Sequence, residues 1–141
     1  MNKKIKTILF VDDDQDDQLL FREALMEADN TAIYLSAYSG IEALEKLNSG
    51  EIIIPDLMFM DINMPKITGI DCLKKLKESE KLKNIPIIMY STSCSGEYQK
   101  DCLDNGALGF LEKPRDFGQL CDKIKAILNN GLIFHKNNIA L

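Results

Sequence analysis

No stretch of this 141-residue chain approaches the roughly 20 consecutive apolar residues of a membrane-spanning helix. The N-terminal Lys3, Lys4 and Lys6 resemble the basic start of an export signal. The apolar stretch behind them, Thr7 to Val11, is too short for one and runs straight into aspartates. An excess of basic residues is also lacking: the net charge is −5, which argues against a nucleic-acid or anionic-membrane surface. The four cysteines, Cys72, Cys94, Cys102 and Cys121, show no C-x-x-C spacing and no neighbouring histidine pair. They read as free thiols rather than a zinc or redox site, in a chain expected in the reducing cytoplasm. His135 is the single histidine and lies in the tail, away from any helical setting for a phosphohistidine. Repeats, linkers and low-complexity segments are absent as well. The length suits one domain, expected over residues 1–128, followed by a short tail over 129–141 whose apolar residues pack loosely, fray or meet a partner.

What is present is organised around Leu57 to Pro65, Leu-Met-Phe-Met-Asp-Ile-Asn-Met-Pro. Four apolar residues ending in an aspartate suit a strand buried on both faces, as in a parallel sheet. Such a strand delivers Asp61 to the carboxyl edge, where open α/β sheets place their chemistry. Asp61 could also do no more than cap the following turn; the other strand ends weigh against that.

In chain order, Ile5 to Val11 is a strand ending in Asp12, Asp13 and Asp14. A helix follows with Leu19, Leu20, Phe21, Ala24, Leu25 and Ala28 spaced for one face. Asp14, Asp16 and Asp17 lie where acid complements the helix dipole, whereas Asp12 and Asp13 precede the helix and lack that explanation. Ala32 to Tyr38 is a second strand. Ser39 and Glu42 have capping-box spacing ahead of Ile41, Leu44 and Leu47. After the central strand, Thr68 caps a helix with Ile70, Leu73 and Leu76 inward. Ile85 to Tyr90 is a strand running into Ser91, Thr92 and Ser93. The next helix, Gly96 to Asp104, offers few apolar positions, chiefly Tyr98, Cys102 and Leu103. Ala107 to Leu111 leads to Glu112, Lys113 and Pro114. Asp116 and Gln119 then cap a helix with Phe117, Leu120, Ile124 and Leu128 on one face. Five strands alternating with five helices predict an α/β fold, a doubly wound, flavodoxin-like parallel sheet of order 2-1-3-4-5.

Parallel strands would bring Asp12, Asp13, Asp61, Ser91 and Lys113 to one edge. Three carboxylates in one pocket repel unless a cation is present, and an oxygen-only ligand set suits Mg²⁺. Lys113 is a compact charge fit to hold a phosphoryl oxygen, Ser91 can donate to another, and Asp61 remains as nucleophile. These are the parts of phosphoryl transfer.

Val11-Asp12-Asp13-Asp14, Met60 to Pro65, Tyr90-Ser91-Thr92 and Phe110 to Pro114 resemble the signature blocks of response regulator receiver domains, over about Lys4 to Leu128. The resemblance implies a stand-alone phosphorylation switch rather than an enzyme acting on a separate substrate. Asp61 would accept phosphate from a phosphohistidine of a sensor kinase or phosphotransfer protein and then alter contacts with a downstream protein. Mg²⁺ would be ligated by Asp13 and Asp61, by the Asn63 carbonyl, and by Asp12 through water. Ser91 would move towards the phosphoryl group and Phe110 would be the aromatic switch, unless it is an ordinary core residue. Thr92 departs from the smaller residues common at its position, and its bulk should hinder access to the phosphoryl group. Two rival functions are a constitutive interaction module and a small-ester phosphatase. The intact acidic, serine and lysine set argues against the first. Asn63, where a phosphatase would carry a second carboxylate, argues against the other.

Overall fold

The structure is a computed structural model that describes residues 4–92 and 96–130. Ser93, Cys94, His135 and the tail beyond residue 130 lie outside the described residues. The elements are β1 (Thr7–Val11), α1 (Gln15–Ala28), β2 (Ile33–Ala37), α2 (Gly40–Ser49), β3 (Leu57–Asp61), α3 (Gly69–Glu78), β4 (Ile87–Ser91), α4 (Gly96–Asp104), β5 (Gly109–Glu112) and α5 (Phe117–Asn130). All strands are parallel, in the expected order β2-β1-β3-β4-β5. Each strand is followed by a helix, the connection that parallel pairing requires.

Every residue of β1, β3 and β4 is buried, which is why these strands read as continuous apolar runs. Alternation along them feeds two cores. Ile8, Phe10, Leu57, Phe59, Ile88, Tyr90 and Leu111 meet α1 and α5 on one face. Leu9, Val11, Met58, Met60, Met89 and Phe110 meet α2, α3 and α4 on the other. The helix starts are fixed locally, since side-chain oxygens take up backbone N–H groups that lack helical partners. Ser39 Oγ accepts from Glu42 N (3.0 Å), Thr68 Oγ1 from Asp71 N (3.2 Å) and Asp116 Oδ1 from Gln119 N (2.8 Å). At α1 the cap is Asp14, whose Oδ1 accepts from Asp16 N at 2.8 Å and Asp17 N at 3.3 Å.

The expected inner face of α1 is corrected. Leu19 and Leu20 are 56% and 46% exposed, and Gln18 is buried in their place beside Phe21, Ala24 and Leu25. The phase follows Phe21, whose ring stacks on Phe10 with centroids 4.1 Å apart. Once that ring is seated, adjacent residues must point elsewhere on a 3.6-residue turn. Ile41, Tyr98, Leu103 and Phe117 are likewise exposed, while Leu73, Leu76, Leu120 and Ile124 are buried as expected. Cys72 and Cys102 are buried, and Cys121 half-buried, and none of the three is in a disulfide. Burial pushes the Cys72 thiol up to about 12, so it stays protonated and unreactive.

Candidate functional site: an acidic pocket closed by Lys113

The carboxyl edge collects the expected residues. Asp12 follows β1 directly, Asp61 ends β3, Ser91 ends β4 and Lys113 follows β5. Carboxylate oxygens of Asp12, Asp13 and Asp61 lie within 4.8 Å of one another. Asp12 is fully buried and Asp61 nearly so, whereas Asp13 faces solvent. This donor set of three hard oxygens fits a divalent cation such as Mg²⁺, with the exposed Asp13 on the side open to water. Asn63 is exposed on the loop beyond β3, and its N–H donates to Asp61 Oδ1 at 3.4 Å.

Lys113 closes the pocket. Its Nζ lies 2.7 Å from Asp17 Oδ2, 3.2 Å from Asp12 Oδ2 and 3.8 Å from Asp61 Oδ1. It also sits 5.2 Å from the centroid of the Tyr90 ring. Tyr90 packs edge-on against Phe10 and Phe21, so the floor of the pocket is aromatic and buried. That burial shows in the ionisation of the site. Burial pushes the Asp12 carboxyl up to about 6, helped by the Asp61 anion and opposed by the Asp14 N–H and Lys113. Burial also raises Asp61, with Lys113 opposing. Burial disfavours the Lys113 charge too, yet its Asp17 hydrogen bond and the Asp12 and Asp61 carboxylates outweigh it and raise its pKa.

Ser91 is buried, and its carbonyl accepts from Lys113 N at 2.8 Å, which ties the β4 and β5 ends together. Its side chain belongs to the same face of the sheet as Phe110, given the pairing of Met89 with Phe110 and Ser91 with Glu112. Phe110 is buried in the α2–α4 core with Met89, Cys102 and Ala107. Thr92 is exposed and lines a groove beside Asp17, Lys113 and Arg115.

Three residues of the site escaped the sequence reading. Asp17 is the nearest partner of Lys113, although the helix dipole had seemed to explain it. Gln18 is buried, and its Nε2 donates to the carbonyls of Asp12 (2.9 Å), Ala37 (3.0 Å) and Phe10 (3.4 Å), while its Oε1 accepts from the Tyr34 hydroxyl. It thereby holds the β1 end from which Asp12 and Asp13 project. A polar residue three positions before Phe21 on the inner stripe was the available signal. Gly69 is the third: a Cβ there would lie 2.3 Å from the Asp61 carbonyl oxygen and 2.8 Å from Ile62 Cα. The start of α3 can approach the acceptor strand only without a side chain.

The response regulator receiver domain model matches residues 8–125. The polar-differentiation response regulator DivK of Brucella ovis is 29% identical over 125 residues, 89% of this chain and 98% of that protein. The chemotaxis response regulator CheY4 of Vibrio cholerae shares the fold with a TM-score of 0.73 at 28% identity, covering 86% of this chain and 98% of that one. The phosphorylated cyanobacterial phytochrome response regulator RcpA superimposes with a TM-score of 0.82 at 28% identity, over 92% and 95% of the two chains.

Proposed function

Because the chain belongs to the response regulator receiver domain family, whose general function is to accept a phosphoryl group on an aspartate, we propose that Asp61 is the acceptor here. The observation that carries this reading is the convergence of Asp12, Asp13, Asp61 and Lys113 in one pocket, where the Asp61 carboxylate lies beside both the other acids and the ammonium. The proposed donor is a phosphohistidine on a sensor kinase or phosphotransfer protein, met in the cytoplasm. None of the described helices is long and apolar enough to cross a membrane. Mg²⁺ would be held by Asp13, Asp61, the Asn63 carbonyl and, through water, Asp12, and it supplies charge neutralisation for the transferring group.

The roles of the chain's own groups follow from their chemistry. The Asp61 carboxylate, ionised, attacks phosphorus, and the histidine nitrogen leaves with the P–N bond electrons. The Lys113 ammonium holds one phosphoryl oxygen and the Ser91 hydroxyl donates to another. A drawn-in Ser91 would vacate space on the face it shares with Phe110, so the altered partner surface is placed at α4, β5 and α5. Helix α4 buries only Cys102 among its described side chains and is the least anchored of the five.

Incubation with a small acyl phosphate and Mg²⁺ should give a base-labile adduct in wild type and none in Asp61→Asn. The adduct should shift amide signals of α4 and β5 more than those of α2. Equal labelling of Asp61→Asn, or shifts largest in α2, would overturn the reading.

Thr92 sets the lifetime of that adduct. Its β-branched side chain follows Ser91 directly and lines a groove together with Lys113, and its bulk would obstruct a water attacking in line with the P–O bond. Thr92→Gly should lose its phosphoryl group severalfold faster at matched Mg²⁺, read as the decay of the adduct. An equal or slower decay would show that the side chain does not obstruct water.

A further inference from the structure

We propose that Asp17 is a positioning residue for phosphoryl acceptance: it holds Lys113 in a resting position from which the incoming phosphoryl group must draw it. This rests on the assignment of Asp61 as acceptor. Of the three carboxylates around the ammonium, Asp17 makes the shortest contact, 2.7 Å, and Asp61 the longest, 3.8 Å. At that distance Lys113 makes no hydrogen bond to the nucleophile. Asp17 also stands apart from the cation-binding trio of Asp12, Asp13 and Asp61. It is carried by the first turn of α1, whose register is fixed by the Asp14 cap and the seated Phe21 ring.

An ammonium has three donors. In the resting pocket two of them go to Asp17 and Asp12, and the charge faces Asp61. A phosphoryl group on Asp61 brings oxygens that compete for those donors. Asp12 lies within the cation group, so its position is fixed by more than the lysine. The bond to Asp17 is therefore the one surrendered. The Asp17 carboxylate also repels the added phosphoryl charge directly. Both effects favour the unphosphorylated state, so Asp17 keeps the site quiet until a good donor arrives.

The size follows from exposure. The Lys113 side chain is 13% exposed and that of Asp17 is 32% exposed, so solvent screens the pair in part. A pair of this kind corresponds to about a fivefold effect.

The test is the rate of adduct formation from a small acyl phosphate at saturating Mg²⁺. Asp17→Asn keeps the shape and removes the charge, and should label about fivefold faster than wild type. Asp17→Glu keeps the charge and should label within about twofold of wild type. Raising the ionic strength should shrink the gap between wild type and Asp17→Asn, because screening weakens the resting pair. A purely structural role would leave the rate independent of salt and would not be rescued by glutamate. Asp17→Asn labelling at or below the wild-type rate would overturn the proposal, as would a gap that salt leaves unchanged. If Asp61→Asn also labels, the acceptor assignment itself is wrong. If Asp61→Asn is silent and Asp17→Asn matches wild type, only the role of Asp17 is wrong.

Discussion

In metal-free buffer, raising the pH from 5 to 7.5 is expected to lower the melting temperature of the wild-type protein by several degrees more than that of Asp12→Asn. The Asp12 carboxyl is raised from 3.8 to about 6 by burial. Between those values the folded protein holds a proton that the unfolded chain has released. The stability tied to that proton is complete below about pH 4 and is lost as pH rises through about 6. The shift corresponds to about 3 kcal/mol at most, a large fraction of the stability of a domain this size. Asp61, raised in the same direction, adds to the slope, and Lys113 limits both. Mg²⁺ should reverse the trend, since it binds the ionised carboxylates and stabilises the fold by mass action, more at pH 7.5 than at pH 5. Melting curves with EDTA and with Mg²⁺ at both values check this. A wild-type slope no steeper than that of Asp12→Asn would contradict it.

Gly69→Ala should be the most damaging single-methyl substitution near the site. Its Cβ would overlap the Asp61 carbonyl oxygen and Ile62 Cα, which are backbone atoms unable to rotate away. Either α3 must shift or the end of β3 must bend, breaking the bond from Gly69 N to the Ile62 carbonyl at 2.8 Å. The expected loss is about 3 kcal/mol, together with weaker Mg²⁺ binding because Asp61 is displaced. Gly96→Ala meets nothing within 4 Å and serves as the control, expected within about 0.5 kcal/mol of wild type. Urea unfolding and calorimetric Mg²⁺ titration of both variants decide it. Equal behaviour would show that the close approach of α3 to β3 carries no constraint.

The sheet order and the edge to which Asp12, Asp13, Asp61, Ser91 and Lys113 come were legible because both follow from one periodicity. A strand buried on both faces announces itself as an apolar run, and its polar successor must then stand at the sheet edge. What stayed hidden depends on contacts between elements. Leu19 and Leu20 fit an apolar stripe as well as Phe21 does until the Phe10 ring fixes the rotation of α1. Asp17 had a sufficient local reason to be acidic, so its 2.7 Å contact with a lysine 96 positions further on could not be read from α1 alone. Gln18 carries no sign in the sequence of its three carbonyl partners, which come from Phe10, Asp12 and Ala37 on other elements. The need for Gly69 behind the Thr68 cap was hidden because the atoms that demand it, the Asp61 carbonyl oxygen and Ile62 Cα, lie at and just beyond the end of β3.

The most direct test of the account locates the phosphoryl group chemically. An aspartyl phosphate is an acyl phosphate, and reduction with borohydride converts the residue that carries it to homoserine. After labelling with a small acyl phosphate and Mg²⁺, peptide mass spectrometry should find homoserine at position 61 and at no other aspartate. Homoserine at position 12, 13 or 17, or a stable phosphate on Ser91 or Thr92, would contradict it.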